Sequence, residues 1–275
     1  MNGTLYIVAT PIGNLGDMSP RAVEILKSVD LIAAEDTRHS RPLLQHFAIN
    51  TPMYAYHEHN EIEQTVKLIE RLNNGESIAI ISDAGTPLIN DPGYRLVAAA
   101  HEHNITVSPV PGSSAVITAL SVAGLPTDRF VYEGYLVAKS GSRKKQLEQL
   151  QQESRTIVFY ETPHRIKEAL DHIAEVFGND RQMTIARELT KQFEQIVHGD
   201  VESIRQLLAD GIIKPKGEFV IVIDGIKDIT VEEAEVIRIY KILSGKLSSK
   251  DAVVLTAEIT GMKKNAVYEL SLGYE

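Results

Sequence analysis

The chain has 275 residues, 43% hydrophobic and 24% charged, with no cysteine and a formal net charge of −9. This length allows a well-buried core in one large or two medium domains, and the missing cysteines exclude disulfides and thiolate metal sites. No apolar run approaches the roughly 18–20 residues that span a bilayer, and Met1-Asn2-Gly3-Thr4 shows no basic-then-apolar leader, so a cytoplasmic location is expected.

Residues 5–10 (Leu-Tyr-Ile-Val-Ala-Thr) read as a first strand, apolar on both faces. A helix follows over about 20–27, with Ser19 as N-cap and Pro20 in the first helical position. Leu31–Ala34 predicts a second strand and Arg41–Phe47 a helix. A third strand near Met53–Tyr56 leads into a helix whose apolar positions are Ile62, Val66, Ile69 and Leu72. Residues 78–81 form a fourth strand, Tyr94–His103 a helix and Ile105–Val110 a fifth strand. This alternation predicts an α/β fold with a parallel N-terminal sheet.

A second pattern starts after a helix-like 115–122 and the turn signal Gly124-Leu125-Pro126, and the domain boundary falls near residue 115. Strands are expected at 129–133, 156–160, 183–187, 193–198 and 219–223, with helices at 144–151, 165–176 and 201–208. The closeness of the last strand pairs predicts a mixed C-terminal sheet. The tail reads as three short helices, Val231–Leu243, a second capped by Ser248 and ending near Ile259, and Lys263–Leu270. Their Gly261 break resembles a helix-turn-helix unit. The domain reading is therefore 1–114, 115–226 and 227–275.

Two runs carry most of the functional information: Ser82-Asp83-Ala84-Gly85-Thr86-Pro87 and Pro111-Gly112-Ser113-Ser114. Both follow apolar strands and precede helices, which in a parallel sheet places them at carboxyl ends, where such sheets bind ligands. Small residues there let a ligand approach the backbone closely. Glu35-Asp36-Thr37-Arg38 ends the second strand, and burying such charges unpaired costs several kcal/mol. The alternatives are a site role or an N-cap by Asp36 or Thr37 with Arg38 paired to a carboxylate. Tyr160–Arg165 and Arg187–Lys191 repeat the polar strand end in the second half, so an interdomain cleft is expected. His57-Glu58-His59-Asn60 recurs at 101–104, but i, i+2 histidines diverge on a helix, and no metal site is expected. No G-x-G-x-x-G, P-loop or G-x-S-x-G motif is present.

The segments 5–17 (LYIVATPIGNLGD), 33–38 (AAEDTR), 82–93 (SDAGTPLINDPG), 111–115 (PGSSA) and 159–165 (FYETPHR) together resemble the ribosomal RNA small subunit methyltransferase I family. That family is part of the tetrapyrrole-methylase-like class of S-adenosylmethionine enzymes. The resemblance runs through 4–225, and the tail is similar to the family's helix-turn-helix appendage. It implies 2′-O-methylation of a cytidine ribose in 16S rRNA of the small ribosomal subunit by a homodimer. S-adenosylmethionine would touch Ile12, Gly13, Asp83, Ala84, Gly85, Thr86, Pro87, Ser113, Ser114, Glu161 and Glu218. Opposite those loops, Glu35 or Asp36 would accept the ribose proton, while Arg38 holds a phosphate or steers the carboxylate. His57 and Lys191 are reserve candidates. Arg143, Lys144, Lys145, Lys263 and Lys264 would supply the basic face for RNA that the net charge does not. Rival readings are a methylase of a small molecule or protein side chain, and a DNA-binding regulator that senses a metabolite.

Overall fold

The computed structural model describes residues 2–226 and 233–272. Strands β1 (Thr4–Val8), β2 (Leu31–Ala34), β3 (Met53–Ala55), β4 (Ile78–Ile81) and β5 (Thr106–Val110) form a parallel sheet in the order β3-β2-β4-β1-β5. β2 and β4 are buried at every residue, as expected of continuous apolar runs covered by helices on both faces. Those helices are α1 (Pro20–Ser28), α2 (Thr37–His46), α3 (Glu61–Asn73) and α4 (Tyr94–Glu102). Ser19 caps α1, its Oγ accepting from the Ala22 amide at 3.1 Å.

Two local expectations are corrected. The helix expected from Arg41 begins at Thr37, because the Asp36 carboxylate accepts from the Arg38 amide and caps it there. On α3 the buried face is Gln64, Thr65, Leu68, Ile69 and Leu72, leaving Ile62 and Val66 exposed. Gln64 and Thr65 can turn inward because the Tyr54 and Tyr56 hydroxyls bond them at 2.7 and 3.0 Å.

The second half contains α5 (Ala115–Val122), β6 (Phe130–Tyr135), α6 (Ser140–Gln149), β7 (Thr156–Glu161), α7 (Ile166–Phe177), β8 (Gln182–Arg187), β9 (Gln195–Asp200), α8 (Val201–Ala209) and β10 (Phe219–Ile223). Its sheet order is β6-β7-β10-β8-β9; β6 runs parallel to β7 and the remaining pairs are antiparallel. The last strand thus inserts centrally, and all five of its residues, Phe-Val-Ile-Val-Ile, are buried. Val116, Ala119 and Leu120 of α5 pack on Val158, Ala186 and Val222 of this sheet, which is why the pattern changes near residue 115. Residues up to Gly225 nevertheless form one contact unit.

Within the tail unit, α9 (Glu233–Ser244), α10 (Ser249–Thr260) and α11 (Lys264–Leu272) enclose a core of Val236, Tyr240, Ala252, Val253, Ala257 and Val267. The expected helix start at Val231 lies outside the described residues. Ser248 caps α10 by accepting from the Asp251 amide at 3.2 Å, and Gly261 ends it in the left-handed region at φ 71°. Among the described residues no helix is long and apolar enough to cross a membrane.

Candidate functional site

The loops leaving β1, β4 and β5 are stitched into one wall. Thr10 and Gly85 exchange backbone hydrogen bonds of 2.9 and 3.0 Å, and the Thr10 hydroxyl donates to the Ser82 carbonyl at 3.3 Å. The Thr86 hydroxyl donates to the Ser113 carbonyl at 3.0 Å, fastening the β5 loop to the β4 loop. Gly85 sits at φ 84°, a conformation open to glycine, and a Cβ there would lie 3.3 Å from Ile12 Cγ2.

This wall faces a cavity of about 250 Å³ between the two sheets. Of the sequence candidates, Ile12, Glu35, Asp83, Ala84, Gly85, Thr86, Ser114, Glu161 and Glu218 line it. Ser113 lines the adjoining groove, and Pro87 is buried behind the loop. Gly13 is outside the lining; a Cβ there would meet the Lys191 side chain at 2.4 Å. The Lys191 ammonium in turn bonds Glu188 and Glu218, each at 2.9 Å. Burial lowers its pKa, but the Glu188 and Glu218 contacts outweigh that and raise it, so Lys191 is a poor proton acceptor. His57 does not line the cavity either.

The charged strand end after β2 divides into two environments. Glu35 lines the cavity and its carboxyl is raised, chiefly by burial, with partial relief from the Asp83 amide. Asp36 instead caps α2 and pairs with Arg38 at 2.9 Å, which holds its carboxyl at about 2. The Arg38 side chain is 89% exposed. Asp36 and Arg38 therefore take up the capping alternative and stand outside the cavity lining. The amide of Asp36 donates to Asp83 at 3.2 Å, locking the β2 end to the β4 loop.

Across the cavity, Glu161 at the end of β7 has a fully buried side chain. Its Oε1 accepts from the Thr162 amide at 2.6 Å and from Arg165 Nε at 2.9 Å, while its Oε2 is buried without a partner. Tyr160 and Tyr135 stand beside it with ring centroids 5.5 Å apart, and burial pushes the Tyr160 hydroxyl up to about 12.

Sequence reasoning passed over Asp91, Asn90 and Tyr135, all of which line the cavity, as does Tyr160 of the expected polar strand end. Asp91 lies in the Asn-Asp-Pro-Gly turn, a composition that reads simply as loop. Burial pushes its carboxyl up to about 6, against a hydrogen bond from Ser82 and with the help of the Glu35 and Asp83 charges.

The basic patch on α6 is corrected in part. Arg143 is completely buried, with its guanidinium on Glu168 at 2.9 Å and on the Ala138 carbonyl at 3.3 Å. It clamps α6 to α7 and presents nothing to RNA. Lys144 is exposed but paired with Glu175 at 3.0 Å, and Lys145, Lys263 and Lys264 are exposed.

Comparison with known proteins adds independent findings. A family model described as tetrapyrrole (corrin/porphyrin) methylases matches residues 4–205, and one for the RsmI C-terminal helix-turn-helix domain matches 230–273. A protein of Pseudomonas aeruginosa named ribosomal RNA small subunit methyltransferase I is 50% identical, covering 98% of this chain and 97% of its own. A Xylella fastidiosa protein of the same name is 51% identical over 97% of this chain and 98% of its own. Among solved structures, uroporphyrin-III C-methyltransferase from Thermus thermophilus complexed with S-adenosylhomocysteine aligns at TM-score 0.55 and 17% identity, over 81% of this chain and 97% of that one. This last likeness concerns the fold alone. The chain belongs to the tetrapyrrole methylase family, and within it to the ribosomal RNA small subunit methyltransferase I group.

Proposed function

We propose that this protein is an S-adenosylmethionine-dependent methyltransferase that 2′-O-methylates a cytidine ribose in 16S rRNA of the small ribosomal subunit. The observation that carries the reading is the 50–51% identity, over nearly the full length, to relatives named ribosomal RNA small subunit methyltransferase I, which spans body and tail alike.

The cavity fits the cofactor chemically. Five carboxylates line it, Glu35, Asp83, Asp91, Glu161 and Glu218, with no Lys, Arg or His among the described lining residues. Such a site repels phosphates and suits a ligand carrying a sulfonium and an ammonium. The partnerless Glu161 Oε2 is an acceptor awaiting a donor. When bound, S-adenosylmethionine supplies an electrophilic methyl group. Ile12, the 83–86 loop and Ser113–Ser114 would hold it, largely through main chain, with Pro87 stiffening the turn. Glu161 and Glu218 would close the opposite side.

Catalysis by the chain's own groups is then chiefly placement of the ribose oxygen against the methyl. A carboxylate of the Glu35–Asp83–Asp91 wall would take the hydroxyl proton as the bond forms. Of the basic residues expected to meet RNA, Lys145, Lys263 and Lys264 are exposed and would contact its phosphates. A homodimer would cover the β5 edge and the apolar groove that includes Pro109, Ile117 and Phe130. An enzyme with this substrate works in the cytoplasm.

Incubation with methyl-labelled cofactor and either small subunits or naked 16S rRNA, followed by mapping of the labelled nucleotide, tests the reading. Label on a cytidine 2′-oxygen supports it. Label on a small molecule, on protein or nowhere overturns it. Sedimentation in solution checks the dimer.

A further inference from the structure

Following the 83–86 loop, the segment from Leu88 to Gly93 is held in an uncommon backbone shape. Leu88, Asn90 and Gly93 have φ of 73, 72 and 133°. The last two residues before Pro92 in this segment, Asn90 and Asp91, line both the cofactor cavity and a second groove that opens beside it. Only Glu35 among the other described lining residues does the same. A hydroxyl entering by the second groove toward the cofactor cavity would pass within reach of a group at that junction, and reach of the proton is what a general base needs.

We propose that Asp91 takes the proton from the ribose hydroxyl, and that Glu35 and Asp83 are positioning residues that hold it ready. This rests on the ribose methylation proposed above. As the ribose oxygen bonds the methyl carbon, the carbon–sulfur bond breaks with its electron pair passing to sulfur, and the hydroxyl proton moves to the Asp91 carboxylate. Asp91 is suited to this because burial, with the Glu35 and Asp83 charges beside it, pushes its carboxyl up to about 6. Such a group is mostly ionised at neutral pH yet still binds a proton well. The charged and titratable groups around it are Glu35 on the β2 end, Asp83 on the β4 loop, Tyr132 and Tyr135 on β6, and Tyr160 on β7. Arg95 on α4 shares the groove and is committed to Glu61 at 2.6 Å.

The test combines two variants with one spectroscopic measurement. Asp91→Asn should lower kcat by about 100-fold or more, with cofactor Kd by calorimetry and KM for small subunits nearly unchanged. Glu35→Gln should lower kcat at pH 8 far less than Asp91→Asn does, and should move the acid limb of the pH profile to lower pH. In the cofactor-free wild-type protein, the Asp91 carboxyl carbon should titrate well above ordinary aspartates by NMR, and lower in Glu35→Gln. Near-wild-type turnover in Asp91→Asn, an ordinary titration midpoint, or abolished turnover in Glu35→Gln at every pH overturns the assignment. Absence of methyl transfer by the wild-type protein would instead sink the underlying reading, and the NMR titration stands apart from it.

Discussion

Thr10 and Gly85 meet as an isolated antiparallel bridge, each amide donating to the other's carbonyl, in a half of the molecule whose sheet is otherwise parallel. The bridge joins the loops that leave β1 and β4, adjacent strands of the sheet. It turns two flexible connections into one preshaped wall, so that less ordering remains to be done when a ligand binds.

Gly85→Ala should therefore damage binding more than it damages the fold. The added Cβ must adopt a left-handed backbone, costing about 1–2 kcal/mol, and must displace Ile12 Cγ2 from 3.3 Å. Calorimetry should show a several-fold weaker S-adenosylmethionine affinity, and urea denaturation a modest loss of stability. Thr10→Val, which replaces the hydroxyl that bonds Ser82 by a methyl group, should leave affinity close to wild type.

Arg143 and Lys145 should separate stability from RNA binding. Arg143→Ala removes the buried cation that bonds Glu168 and the Ala138 carbonyl, and should cost about 2–4 kcal/mol of stability. Its effect on the salt dependence of RNA binding should be nil. Lys145→Glu, on the exposed side of the same helix, should weaken RNA binding and flatten its salt slope without shifting Tm.

Asp36 and Arg38 should behave as capping residues. Asp36→Asn keeps an acceptor at the N-cap and should retain turnover, whereas Asp36→Ala should lower Tm. The folded carboxyl is held at about 2 by Arg38, below its unfolded value, so its contribution is present at neutral pH. It fades as pH falls from about 4 through about 2. Thermal melts of wild type and Asp36→Ala should converge in acid.

Asp91 carries the opposite sign. Its folded carboxyl is raised to about 6, so the folded state holds its proton longer than the unfolded chain. Stability falls as pH rises from the unfolded value to the folded one, then levels off. Because the group is only partly buried and solvent screens it, the effect is about 1 kcal/mol. Asp91→Asn should raise Tm at pH 8 and leave it unchanged at pH 4, a stability gain accompanied by lost turnover.

Much of the fold was legible because strong local signals carried it. Continuous apolar runs such as Ile78–Ile81 read directly as buried strands, and Ser19-Pro20 and Ser248 mark helix starts whose hydrogen bonds are local. The Gly- and Pro-containing loops, which line the cavity, stood out because small residues and fixed turns are local properties too. The stripe on α3 misled because Ile62 and Val66 satisfy helical periodicity, while the inward face depends on tyrosines of β3 and its flank.

By itself the sequence determined the parallel α/β alternation, the Gly/Ser/Pro loops and the family motifs, all encoded in neighbouring residues. Only the tertiary structure decided which charges face the cavity. Asp36 and Arg38 satisfy one another locally, Arg143 is drawn inside by Glu168 twenty-five positions away, and Asp91 gains its environment from Glu35 and Asp83 on other strand ends. A carboxylate's chemistry is set by its solvation and by charges brought near through folding, and separation along the chain carries no record of either.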